Sequence, residues 1–187
     1  GYVSLGGNTT GTENTAVGRN SLESNTTGSY NTAVGAQALD DNNANNNTAV
    51  GYRSLYLNTT GTPNTAVGTG ALANNTTGNN NTAVGKDALN DNTDGDENSA
   101  FGTFALEKNT TGQNNTGLGY YALGVNTTAS NNTAVGFNAM GANTTGAYNT
   151  AVGGYALDAN TTASNNTAFG WGSLSENTTG ASNTALG

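Results

Sequence analysis

The pentapeptide Asn-Thr-Ala-Val-Gly begins at Asn14, Asn31, Asn47, Asn64, Asn81, Asn132 and Asn149, with variants at Asn98, Asn115, Asn166 and Asn183. The spacing is 17 residues throughout, apart from one 16-residue unit between Asn31 and Asn46. A period this short excludes helical repeats, which need about 30 residues per unit and apolar spacings of three and four. A unit of this length also cannot bury a core of its own, so each must be completed by stacking on its neighbours.

Written as positions 1 to 17, the unit is N-T-A-V-G-x-x-A/S-L-x-x-N-T-T-G/A-x-x. Position 5 is glycine from Gly1 through Gly187, the mark of a corner that requires positive φ or close backbone approach. A second turn follows at Asn-Thr-Thr-Gly, and it is here that the shorter unit lacks a residue. The pattern predicts an all-β fold, a parallel β-solenoid or β-roll of 17-residue coils with two short strands per coil, around positions 1–4 and 7–10. About eleven coils at roughly 4.8 Å each would make a rod about 50 Å long.

Position 4 is Val, Phe or Leu, and position 9 is Leu apart from Met140. These two positions are the expected core: Val34 and Leu39, Val50 and Leu55, Val67 and Leu72, Val84 and Leu89, Phe101 and Leu106. Strand alternation then turns the Ala of position 3 and the Ala or Ser of position 8 outward. Two strips of small side chains would favour lateral packing between identical copies. Asn at positions 1 and 12 would stack as amide ladders. Residues 1–187 read as a single repeat array, an excerpt of a longer fibrous protein.

Composition narrows the function. Hydrophobic residues are 33% and charged residues 9%, too few for an ordinary core or an ordinary charged surface. A single Pro and four Lys plus Arg separate the chain from disordered segments. Without Cys or His there are no disulfides, no thiolate or imidazole metal sites and no Ser-His or Cys-His nucleophile, so neither an enzyme nor a cofactor is expected. A net charge of -8 disfavours nucleic acid and anionic membrane surfaces, and no apolar run of about 18 residues is present to insert into a bilayer. The segment from Asn90 to Glu97 alternates oxygen-bearing residues before a Gly as a calcium loop does. It opens with Asn, however, and places Phe101 where the bidentate Glu belongs, so the ordinary second turn is the expectation and no metal is assigned.

Chemistry concentrates at positions 6 and 7, just after the glycine corner. Tyr2, Tyr52, Arg53, Phe104, Tyr120, Tyr121, Phe137, Tyr155 and Trp171 fall there, together with Arg19 and Lys86. Flat rings with a few cations are the composition of a surface that recognises a glycan or a protein receptor. The alternative is that the rings cover a coil corner or pack against a neighbouring protomer. Positions 10 and 11 gather Glu23, Asp40, Asp41, Asp91, Glu107, Asp158 and Glu176, read as a solvated face. Asn-Thr-Thr also satisfies the glycosylation sequon, for example at Asn58, Asn75 and Asn109, although a structural ladder explains it better.

In its small residue, branched apolar residue, Gly and following Ala or Ser, the unit resembles the Ser-Val-Ala-Ile-Gly-x-x-Ala/Ser repeat of YadA-type trimeric autotransporter adhesin heads. Related repeats occur in phage tail-fibre and bacterial surface proteins. The resemblance runs through all the units. It implies a left-handed β-roll, a homotrimer, an extracellular location on a cell surface or virion fibre, and a role in attachment. Two other readings stand beside an adhesive fibre segment: an ice-binding solenoid that uses the Thr of positions 2, 13 and 14, and a passive filament or spacer.

Overall fold

Only three residues per coil are extended. Positions 2 to 4 form eleven strands, from β1 (Thr15–Val17) to β11 (Thr184–Leu186), in the computed structural model, which describes residues 1–187. The strands pair in chain order as one parallel sheet. Register is strict: Thr65 lies beside Thr82, Ala66 beside Ala83 and Val67 beside Val84. The chain is therefore the parallel β-solenoid that its period predicts.

The second strand per coil does not form. Positions 7 and 9 hold positive φ, as at Asp87 (52°) and Leu89 (51°), a geometry no strand admits. These residues instead make a chain of turns that still bonds from coil to coil. Arg53 N–H donates to the Ala36 carbonyl at 3.1 Å and Leu55 N–H to the Ala71 carbonyl at 3.0 Å. Of 119 backbone hydrogen bonds only 20 belong to the sheet, so the laddered turns hold the coils together as much as the strands do.

The interior is lined by position 3, position 8 and position 9. Ala66, Ala71 and Leu72 are fully buried, as are Leu39, Leu55, Leu89 and Leu106. The leucine half of the expected core is therefore in place, and the other half is reversed. Val34, Val50 and Phe101 are exposed, Val67 and Val84 are only half-buried, and none of the five joins the core cluster. The alanines predicted to face outward take their place inside.

Gly117, which stands where the other coils have Ala, gives the physical reason. A Cβ added there would approach the Ala122 carbonyl oxygen to 3.1 Å and Leu106 Cγ to 3.3 Å. The lumen has room for a methyl group and no more, so the branched residue of the strand must face out. Position 8 joins position 9 inside because the turn backbone between them does not alternate as a strand does.

The glycine corner is required twice over. Gly68 has φ +136°, and a Cβ on it would sit 2.4 Å from the carbonyl oxygen of Gly85 in the next coil. Only Gly satisfies both conditions.

Two buried columns of asparagine close each coil. At position 12, Asn126 Nδ2 donates to Asn109 Oδ1 at 2.9 Å and Asn109 Nδ2 to Asn92 Oδ1 at 2.8 Å. At position 1, Asn115 N–H donates to Asn98 Oδ1 at 3.0 Å, while Asn98 Nδ2 reaches the Gly112 carbonyl at 2.8 Å. That carbonyl also accepts from Asn109 Nδ2 at 3.0 Å, so the two columns converge on one oxygen. The sequon asparagines Asn58, Asn75 and Asn109 are fully buried donors in this network, which leaves these three no free amide for a glycan, whereas Asn8 in the first coil is exposed.

Departures from the repeat are absorbed in the turns. The 16-residue unit lacks position 14, and Asn42 Nδ2 there reaches the Ala44 carbonyl two residues on, where other coils span three. Asn43 Oδ1 then accepts the Thr26 N–H at 2.7 Å, the role a carbonyl has in the other coils. Pro63 has no N–H for the Asn45 carbonyl, and the Thr62 hydroxyl donates to it instead.

Asn109→Ala removes an acceptor from Asn126 and a donor from Asn92 in a dry interior, and is expected to cost about 1–3 kcal/mol. Thr111→Ala, at an exposed neighbouring position, should change stability by less than about 0.5 kcal/mol. Urea denaturation followed by far-UV circular dichroism compares the two.

Candidate functional site: the turn ridge

Positions 6 and 7 leave the glycine corner with the second of them in left-handed geometry, so their side chains project from the edge of the rod on every coil. Stacking of the coils then brings side chains of positions 6 and 7 in successive coils into contact. Phe104 meets Tyr120 edge-on at 5.8 Å, Tyr120 stacks on Phe137 at 5.3 Å with an interplanar angle of 10°, and Phe137 meets Tyr155 at 5.3 Å. Tyr155 in turn meets Trp171 at 6.0 Å, and Tyr121 lies 6.3 Å from Tyr120. Lys86 caps the array, its ammonium 5.0 Å from the Phe104 centroid. Six of the predicted ridge residues thus form one aromatic ladder across the second half of the rod.

Gly154 allows the ladder to continue. It occupies position 6 of its coil, and the Trp171 indole lies over it, 3.3 Å from where a Cβ would be. Tyr155 at position 7 supplies the ring for that coil. Trp171 keeps 76% of its surface exposed, the most open ring of the ladder.

Tyr52 and Arg53 belong to a separate group. The Arg53 guanidinium lies 4.4 Å from the Tyr56 centroid and 5.9 Å from that of Tyr52. Thr69 and Gly70 follow in the next coil and leave a gap, so the ridge is two islands with a cleft of about 470 Å³ between Tyr52 on one side and Asp87 on the other. Tyr2 is exposed and stands apart from both islands. Tyr56 was not among the sequence candidates because it occupies position 10, where most coils carry an acid or a small residue; being the one ring in that column was the available signal.

The acidic positions flank the ridge and are not uniformly solvated. Lys108 bridges Asp91 at 3.1 Å and Glu107 at 2.8 Å. Asp40 is buried, and desolvation, reinforced by Glu23 and Asp41, pushes its carboxyl up to about 6 against the opposing effects of Gln37 and Arg53. Burial raises Asp158 as well, with Glu176 adding repulsion. The stretch from Asn90 to Glu97 folds as an ordinary second turn: Asn92 Nδ2 bonds the Gly95 carbonyl at 3.0 Å and Asp96 Oδ1 accepts the Asn79 N–H at 2.7 Å.

Because Asp40 binds its proton more tightly folded than unfolded, folding is favoured as pH falls from about 6 toward 4, and that contribution is lost as pH rises through 6. The melting temperature is therefore expected to rise between pH 7 and pH 5. Asp40→Asn should raise it at pH 7 and flatten the dependence, and a variant with the wild-type slope would exclude Asp40 as the source. No protein-family model, curated protein or solved structure matches this chain.

Proposed function

We propose that this chain is a non-enzymatic segment of an extracellular fibre, a stiff rod that packs sideways against copies of itself and presents the aromatic ridge for attachment. The observation that carries this reading is the outer face of the sheet. Val17, Leu118 and Phe169 are exposed by 57%, 46% and 50%, and in-register pairing lines the position 4 residues into one apolar stripe along the rod. Such a stripe on a repeat protein calls for a partner surface of the same pitch. A second copy of the chain has that pitch by construction, and a threefold arrangement is what the likeness to adhesin-head repeats suggests. The contact would run through position 4, with the threonines of position 2 beside it, in place of the alanine strips that the sequence pattern favoured.

The ridge lies on the turn side of the glycine corner and would remain free in such a bundle for a host glycan or protein receptor.

A second reading is favoured by the same face. Threonines of position 2 repeat beside the position 4 stripe at the strand spacing of about 4.8 Å, a flat array that could match an ice lattice. Phe101 and Phe169 interrupt its flatness, which weighs against it.

Light scattering should give a mass of three chains, and Val50→Lys with Leu118→Lys should yield a folded monomer. A wild-type monomer with thermal hysteresis would replace the fibre reading by the ice reading. If the aromatic ladder recognises a surface, Tyr120→Ala with Tyr121→Ala and Trp171→Ala should weaken attachment to cells at least about tenfold; unchanged attachment would favour a passive spacer over this half of the ridge.

A further inference from the structure

Position 7 of three successive coils is occupied by Arg53, Gly70 and Asp87. Gly70 has φ +68° and leaves space between a cation and an anion. A Cβ on it would come within 2.2 Å of Asp87 Oδ1, so the Asp87 carboxylate leans over the glycine into the gap. Asn90 Nδ2 fixes the floor by donating to the Gly70 carbonyl at 2.7 Å, and Asn74 Nδ2 donates to Asn90 Oδ1 at 3.2 Å.

On the opposite wall, Arg53 is steadied by Tyr56 but makes no ion pair. The salt bridges of the chain are Lys86 with Asp87, and Lys108 with Asp91 and Glu107. In a protein of net charge -8, this guanidinium acts on Asp40 only at a distance and stands without an ion pair at the mouth of a cleft of about 470 Å³, with Asp87 on the far wall. That size lies within the range that takes a small ligand. A planar fork of donors is matched bidentately by a carboxylate. The Tyr52 ring offers an apolar plane next to it, and Asp87 with Asn74 offers acceptors and donors across the gap.

We propose that this cleft binds a carboxylated sugar unit of an acidic polysaccharide, with the carboxylate on Arg53, the ring against Tyr52 and the hydroxyls on Asp87 and Asn74. A neutral sugar would leave the guanidinium unmatched, and a simple anion would leave the aromatic wall and the far polar groups unused. The proposal rests on the reading of the ridge as a recognition surface and assigns a ligand class to one of its two islands.

Isothermal titration with an oligogalacturonate, and with an uncharged oligosaccharide of equal length, tests it. The wild-type chain is expected to prefer the oligogalacturonate, and Arg53→Gln to weaken that binding by about tenfold or more. Thr111→Ala, at an exposed position of the second turn outside both islands, should leave it unchanged. Equal binding of both sugars, no binding of the oligogalacturonate, or an unaffected Arg53→Gln variant would overturn the assignment. Binding that survives Arg53→Gln but is lost in the Tyr120, Tyr121 and Trp171 variant would overturn the cleft while supporting the ridge. Circular dichroism confirms that each variant remains folded.

Discussion

Everything in this rod hangs on the paired asparagine columns. A side-chain amide carries both a donor and an acceptor, so one residue per coil can bond to the coil above and the coil below at once. Position 12 does this through its side chains alone, and position 1 couples side chain to backbone; both deliver a proton to the same carbonyl at position 15. Aspartate would stack like charges at the coil spacing in a dry interior, and an apolar residue would leave that carbonyl and the neighbouring N–H groups unpaired. Fixing the second turn in this way places the leucine of position 9, or Met140, opposite the alanine of position 3, or Gly117, from coil to coil.

The price of so thin a coil is backbone strain. Leucine at position 9 holds φ near +50° along the whole rod, a region that L-residues with a long side chain avoid. Its side chain is nevertheless fully buried in coil after coil, and its N–H is bonded to the next coil at about 3.0 Å. Burial and ladder bonding exist only between neighbours, so the strained turn persists because it is stacked. Local geometry and assembly of the rod are therefore one event.

The period, the glycine corner, the parallel stacking and the asparagine ladders were legible in the sequence because each is a one-residue signal repeated at constant spacing. The side of the strand that faces inward was not. Hydrophobicity favours Val67 over Ala66 for the core, and only the width of the lumen, visible at Gly117, reverses that choice. The second strand was misread for a related cause: Asp87 and Leu89 give no sign in their identity that their φ is positive, since that region is reserved in most proteins for Gly and Asn. In the ridge, positions 6 and 7 stand out in the sequence as the variable columns. Its division at Gly70, and the contribution of Tyr56 from another column, depend on contacts between coils that a single unit does not contain.

The architecture separates two kinds of position. Asn 1, Ala 3, Gly 5, position 8, Leu 9 and Asn 12 are constrained by the lumen and the ladders, whereas most side chains of positions 6, 7 and 10 meet solvent and one another, within a coil and between adjacent coils. A substitution there changes the surface without changing the rod, and because equivalent residues lie about 4.8 Å apart, neighbouring rings must stack or leave a gap. Both outcomes occur here, as the Phe104 to Trp171 ladder and as the Gly70 cleft. Shape at the ridge is thus written coil by coil: a ring at position 6 or 7 extends the ladder, a coil with a ring at neither opens a site, and the charges on the two flanking coils decide what that site attracts.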